Sequence, residues 1–326
     1  MTIGISIGDP NGIGPEVVLK TFADSELLTV CTPIVYAHFD FVNQQAAQFD
    51  WQLPIERMHD QPKQGVLNVV DCWTESFQPQ YGEVDAKAGK LSVTSLVAAT
   101  ADLKKGNINA LVTAPIHKAA IQSEDFRFPG HTDYLAQAFD GDALMFLVHP
   151  DLRVALVTDH VAVKDIARHI TTDRVAQKLN AVAHSLQQDF GIPNPRIAVL
   201  GLNPHAGDEG VIGEEEVNLL EPMLQTHQID KTEISGPFSA DAFFGSQSYK
   251  NYDAILAMYH DQGLIPFKTL SFGQGVNFTA GLSAVRTSPD HGTAFGIAGT
   301  GQANPQSFRQ AVQTAIEVVK RRNIST

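Results

Sequence analysis

Short β-branched and apolar runs alternate with longer segments of helical periodicity along almost the whole chain. That alternation limits the fold to α/β architecture with a largely parallel sheet, because consecutive parallel strands need a crossover, usually a helix. Strands are expected at residues 3–7, 34–36, 67–70, 110–113, 144–148, 154–157, 197–200 and 254–258. Helices are expected at 86–105, 173–190 and 305–322, where apolar positions fall three and four apart. Asp173 and Asn304 read as N-caps, with Pro305 at the first helical position. There is no internal repeat, low-complexity tract or Gly/Pro/Ser-rich linker. The expected organisation is two lobes around a central cleft, residues 1–130 with 290–326 and residues 131–289, the C-terminal helix returning to the first lobe.

Composition narrows the function class. The chain of 326 residues is 43% hydrophobic, enough for one large or two medium domains with a buried core. No run of about 18 apolar residues occurs and the N-terminus enters a strand pattern directly, so the chain reads as soluble and unprocessed. Cys31 and Cys72 do not make a disulfide framework, which fits a reducing cytoplasm. A formal net charge of −13 without a basic run argues against nucleic acid and anionic membrane as partners. An anionic substrate would then have to meet a local cluster of cations.

Three apolar runs finish in an imidazole: VALVTDH at His160, IAVLGLNPH at His205, and YDAILAMYHD with His260 before Asp261. In open α/β sheets ligands gather beyond the carboxyl ends of the strands, so these histidines are candidates for one site. Their separations, 205 − 160 = 45 and 260 − 205 = 55 residues, exclude a local zinc finger and suit convergence from separate strands. On spacing alone a divalent-metal site and three hydrogen-bonded loop histidines both stand, since the chain has 12 histidines.

Both ends of the chain carry glycine-rich segments. GDPNGIGPEVV, residues 8–18, follows the first strand and lacks the Lys-Ser or Lys-Thr pair of a P-loop and the G-x-G-x-x-G spacing. PDHGTAFGIAGTGQANP, residues 289–305, precedes the last helix and lets backbone come close to a nucleotide, or serves as an ordinary loop. The second segment resembles the adenosine-binding loop of the β-decarboxylating isocitrate and isopropylmalate dehydrogenases, and GDPNGIGPE is similar to their GDGIGPE. Within that fold the chain resembles the 4-hydroxythreonine-4-phosphate dehydrogenase family of pyridoxal phosphate synthesis. SIGDPNGIGPE, VTAPIHK, FPGHTDYLA, NPHAG, YHDQGLIPFK, NFTAGL and RTSPDHGTAFGIAG stand in that family's order, from residue 6 to 299. One departure is NPHAGD, ending in Asp208, where the family has NPHAGE; an acid is retained.

The resemblance implies a two-lobed isocitrate/isopropylmalate dehydrogenase-like α/β/α fold, with the nucleotide loop in the first lobe and the metal and dimer-interface residues in the second. It implies a divalent metal, zinc, magnesium or cobalt, on His160, His205 and His260, the last supplied across a homodimer with a shared active site. It further implies substrate contacts from His131, Thr132, Lys268, Asn277 and Arg286, and NAD or NADP at the C-terminal loop, whose His291, Gly292, Thr293 and Asn304 are the candidates. Lys268 and Arg286 would be the local cations that the acidic total requires, Arg286 as a two-pronged phosphate donor. Asp241 and Asp261 are candidates for the metal shell or for proton transfer, and Asp261 equally for orienting His260. His131 and Lys268 are both candidates for the general base.

The implied reaction oxidises the C3 alcohol of 4-phosphooxy-L-threonine to a β-keto acid that decarboxylates. A dehydrogenase of phosphorylated four-carbon sugar acids (threonate or erythronate 4-phosphate) would share the same residues. A metal-dependent hydrolase would use the three histidines and dispense with the nucleotide loop, and a phosphate-binding protein would keep only Lys268 and Arg286.

Overall fold

The computed structural model describes residues 1–23, 26–139 and 141–324. The fold is mixed α/β, in two compact units: 1–143 with 282–320, and 144–281 with 321–326. The helix His131–Ala138 and the strand Arg286–Pro289, assigned to the second lobe from sequence, belong to the first unit.

Strands β1 (Thr2–Ser6), β2 (Thr32–Ala37), β3 (Ile55–Arg57), β4 (Leu67–Asp71) and β5 (Ala110–Thr113) come first. Then follow β6 (Leu144–His149), β7 (Leu152–Leu156), β8 (Arg196–Leu200), β9 (Glu233–Phe238), β10 (Ala254–Ala257), β11 (Val276–Ala280) and β12 (Arg286–Pro289).

In the first unit the strand order is β3-β4-β2-β1-β5-β12, all parallel. The inner strands are apolar without alternation because both faces are covered, the usual condition of a parallel sheet. One face packs Ile34, Tyr36 and Leu111 against Leu96 and Ala99 of the helix Ala86–Lys105. That helix runs over the span its periodicity predicts. Asp85 caps it by accepting from Ala88 N at 3.0 Å, and Gly106 ends it in the left-handed region at φ 75°. The C-terminal helix Gln306–Ile324 meets β12, where Thr287 Oγ1 donates to Ala311 O at 2.8 Å. Asn304 Oδ1 accepts from Gln306 N at 2.9 Å, the capping contact expected of it.

In the second unit the order is β11-β6-β7-β10-β8-β9. The largely parallel sheet expected from the sequence is found, with β6 as the exception, antiparallel to both β7 and β11. One face buries Val154, Leu156, Ala198, Ile255 and Ala257 under Phe243, Leu264 and Phe267. The other carries Phe146 and Phe278, which meet Phe190 edge-on at 5.7 and 5.6 Å between ring centres. Phe190 lies just beyond the helix Thr172–Gln188. The cap of that helix is Thr171, whose side chain accepts from Arg174 N, and not Asp173, which sits in the first turn and favours the helix dipole there.

Candidate active site

The second unit holds the three strand-end histidines. β7, β10 and β8 are parallel neighbours in that order, so His160, His260 and His205 follow three adjacent strand ends. Backbone and side-chain bonds tie these ends together. Val157 N donates to Ala257 O at 2.9 Å, and Thr158 donates to Met258 O from both N (3.1 Å) and Oγ1 (2.8 Å). Gln262 then bridges β10 to β8: its Oε1 accepts from Met258 N and its Nε2 donates to Gly201 O, both at 2.7 Å.

The rings of His160 and His260 lie 6.1 Å apart between centres. The two rings differ in how the adjacent acid meets them. His260 Nδ1 is 2.7 Å from Asp261 Oδ1 and His160 Nδ1 is 3.8 Å from Asp159 Oδ2. The His260 contact is the carboxylate–imidazole arrangement that orients a metal-binding histidine and leaves Nε2 for the cation, whereas 3.8 Å at His160 is beyond hydrogen-bond reach; imidazole and carboxylate are donor types that suit a divalent ion. His205 lies instead within electrostatic reach of Asp241. The Asp241 carboxyl is held below its usual range chiefly by the Ser239 hydroxyl, which donates to it at 2.6 Å, with backbone N–H donation and His205 adding to the effect. Among the described residues no three His, Cys, Asp or Glu side chains of one chain form a cluster fit to hold a metal ion.

His205 sits in an unusual loop. Five consecutive residues, His205 (φ 54°), Ala206 (52°), Gly207 (82°), Asp208 (45°) and Glu209 (55°), have left-handed backbone. Only one is glycine, and each of the others costs roughly 1–2 kcal/mol in that conformation. Such a run persists only where its surroundings over-determine it.

Lys268 is exposed in the last turn of the helix His260–Ser271. Eight residues of helix put about 12 Å of rise between it and His260. Asn277 lies on β11 opposite Leu147, with its Oδ1 buried and without a hydrogen-bond partner among the described residues.

The first unit brings together a second group. Arg286 opens β12, is 2% exposed and donates from Nη2 to Thr113 Oγ1 at 2.7 Å. Burial lowers its pKa to about 9. His131 begins the helix His131–Ala138, with Thr132 after it. Burial first, then the charges of Arg286 and Lys118, hold His131 well below the usual histidine pKa, so the ring is neutral near pH 7. Its Nε2 is buried with no hydrogen-bond partner among the described residues.

The two glycine-rich segments meet in this unit. Ile13 N donates to Thr293 O at 3.0 Å, and a Cβ on Gly12 would come within 3.0 Å of that carbonyl. Phe295, in the same C-terminal loop, stacks on His117 at 5.2 Å. Asp9 is fully buried and its carboxyl is raised by desolvation, against the opposing backbone bond from Asn11 and the nearby charge of His117. His291 Nδ1 donates to the carbonyl of Gly292 at 3.1 Å; Gly292 itself is exposed, and Asn304 is occupied in capping.

Asp9, His117, Lys118, Thr113 and Gln262 were not singled out from sequence. His117 and Lys118 follow β5 in VTAPIHK, so the strand-end rule that selected the three histidines would have selected them too.

The model of the pyridoxal phosphate biosynthetic protein PdxA matches residues 29–315. The chain belongs to the PdxA family. It is 46% identical to a 4-hydroxythreonine-4-phosphate dehydrogenase from Bacteroides thetaiotaomicron, over 98% of this chain and 89% of that protein. It is 43% identical to one from Prosthecochloris aestuarii, over 97% of each. A crystal structure of a 4-hydroxythreonine-4-phosphate dehydrogenase from Klebsiella pneumoniae superposes with a TM-score of 0.84 at 33% identity, covering 98% of both chains. The mixed α/β fold is thus that of the family.

Proposed function

We propose that this PdxA-family chain is an NAD- or NADP-dependent, divalent-cation-dependent decarboxylating dehydrogenase acting on 4-phosphooxy-L-threonine in the cytoplasm. The product is a β-keto acid that loses carbon dioxide to leave 3-amino-2-oxopropyl phosphate, a step of pyridoxine 5'-phosphate synthesis. The observation that carries this reading is near-full-length similarity to proteins of that name, together with histidines beyond three adjacent strands.

His160, His205 and His260 would hold zinc, magnesium or cobalt. When bound, the cation supplies a Lewis acid for the substrate oxygen, and the nicotinamide supplies the hydride acceptor. The chain's own residues do the rest. His131 starts the cycle proton-free because burial and two cations disfavour its charged form, and a general base for the C3 hydroxyl must start so. Lys268 is the other candidate for that role. Arg286 is assigned to the substrate phosphate as a planar two-pronged donor, with Lys268, Asn277 and Thr132 as further substrate contacts. His291, Gly292, Thr293 and Asn304 are assigned to the nucleotide, Thr293 being braced by the N-terminal glycine turn.

A homodimer with a shared site would combine His160 and His205 of one subunit with His260 of the other. The 6.1 Å ring pair favours a second reading in which His160 and His260 of one chain act together. Mixing inactive His160→Ala and His260→Ala proteins separates the two. With a shared site, random subunit exchange restores one intact site per mixed dimer, about a quarter of wild-type activity. With both ligands from one chain nothing returns.

The activity itself is tested by metal-loaded protein with the phosphorylated alcohol and either dinucleotide, following reduced nicotinamide. Threonate and erythronate 4-phosphate belong in the same panel. Absence of reduced nicotinamide with every substrate, alongside metal-dependent hydrolysis, would replace the dehydrogenase by a hydrolase.

A further inference from the structure

We propose that Glu216 is a positioning residue for His205, setting the left-handed loop that presents this imidazole to the cation; the inference rests on the metal reading above. Glu216 is fully buried at the start of the π-helical turn Glu216–Leu220. Its Oε1 accepts from Leu202 N and Asn203 N, both at 2.7 Å, and its Oε2 accepts from Asn203 Nδ2 at 2.8 Å. The second hydrogen of that amide goes to Glu215 Oε2, also at 2.8 Å. One carboxylate therefore fixes both the backbone and the side chain of the residues leading into His205.

The space around this carboxylate is cleared by glycine. A Cβ on Gly207 would stand 2.7 Å from Glu216 Oε2, one on Gly201 3.1 Å from Oε1, and one on Gly213 2.2 Å from Asn203 Nδ2. Gly207 is also the third residue of the left-handed run, with φ 82°. The loop and the acid thus pack closely, and the backbone that carries His205 starts from the Asn203 that the acid holds, whose carbonyl in turn accepts from Ala206 N at 3.1 Å. Single turns of π-helix are frequent at functional sites, and this one begins with the buried acid.

Chelator-stripped full-length protein titrated with cobalt(II) reads this directly through the visible absorption of the bound ion. Glu216→Gln keeps an oxygen for the two backbone donors but sets an amide donor against Asn203 Nδ2. We expect cobalt affinity to fall about tenfold, while near-ultraviolet circular dichroism stays native. Gly207→Ala, which strains the loop from its other side and keeps the acid, should weaken cobalt binding similarly. The discriminating readout is the double variant: with His205→Ala already in place, Glu216→Gln should have no further effect on cobalt affinity. An equal loss in both backgrounds would mean that Glu216 acts through general stability, and the proposal fails. Wild-type affinity in Glu216→Gln beside a large loss in His205→Ala would also overturn it while leaving the metal reading intact. Wild-type affinity in His205→Ala would instead remove the metal role of His205, and the positioning role with it.

Discussion

Replacing Gln262 should separate the ends of β8 and β10, and the cost follows from two bonds. Its side chain joins Met258 N to Gly201 O with two contacts of 2.7 Å, and Met258 and Gly201 are both buried. Gln262→Ala removes both partners and leaves one donor and one acceptor unsatisfied. A lost hydrogen bond that strands a buried group costs about 1–3 kcal/mol, and Gln262 is only half-buried, so water can replace part of the loss. A destabilisation of about 2–4 kcal/mol is expected, read from the shift of the urea midpoint at unchanged slope. Gln262→Glu is the sharper variant. It keeps an acceptor for Met258 N but sets a second bare oxygen against the carbonyl of Gly201. That repulsion raises the folded-state pKa of the introduced carboxyl above its unfolded value. Its stability contribution is therefore present below the unfolded pKa, about 4.3, and lost as the pH rises through the raised value. The deficit relative to wild type should shrink on acidification. A Gln262→Ala protein within about 0.5 kcal/mol of wild type, or a Gln262→Glu protein matching wild type at neutral pH, would refute the bridging role.

His131 supplies a pH dependence of opposite sign. Its folded pKa is depressed, so stability is full above about 6.5 and falls as the pH drops toward the lowered value, by up to about 1.4 kcal/mol per pH unit. Denaturation series across that range should show the slope in wild type and lose it in His131→Gln; an unchanged slope would assign it to another group. Asp9 is the reverse case, a buried carboxyl with a raised pKa whose charging opposes folding as the pH rises. Asp9→Asn keeps an oxygen for Asn11 N and should be more stable than wild type at neutral pH, and a less stable variant would show that the charged form is needed. Arg286→Ala should weaken the phosphorylated substrate by about ten- to a hundredfold, in line with about 1.5–3 kcal/mol for a bond to a charged group. The substrate lacking phosphate should be turned over no worse than by wild type, and equal harm to both would remove Arg286 from phosphate reading.

The inner strands were legible because burial on both faces writes them as unbroken apolar runs, as in β1, β2 and β5. Four strands carried no such mark. Ile55–Arg57 is three residues at an edge, and Glu233–Phe238 is an edge strand interrupted by Gly236 and Pro237. Val276–Ala280 pairs antiparallel with β6 and includes the polar Asn277, and Arg286–Pro289 is polar in composition although all four residues are buried. The strand-end histidines could be read because their separation into three runs is a sequence property. What holds them could not. Gln262 reaches Gly201 across 61 residues and Glu216 reaches Leu202 across 14, and neither pairing has a local period to betray it. The left-handed run was hidden for a similar reason: in NPHAGD only Gly207 takes positive φ without a steric cost, and no local spacing marks the residues on either side of it.

The bonds from Glu16 carry a consequence for assembly. This buried acid accepts from Ala303 N at 2.7 Å and pairs with Lys20 at 2.9 Å, and Lys20 donates to Gly301 O and Ala303 O. The motif around Glu16 therefore acts as a dock for a segment 287 residues further along the chain. At synthesis rates of roughly 5–20 residues per second, tens of seconds pass in which β5 lacks β12 beside it and Glu16 lacks its backbone donor. The intervening stretch 144–281 has all of β6–β11 before that docking segment exists. Chains truncated at residue 281 should then resist protease within 144–281 while 1–143 is cut, with protection of 1–143 appearing only in chains that extend beyond residue 303. A unit built from two distant pieces of chain stays open to proteolysis from the synthesis of the first until the arrival of the second.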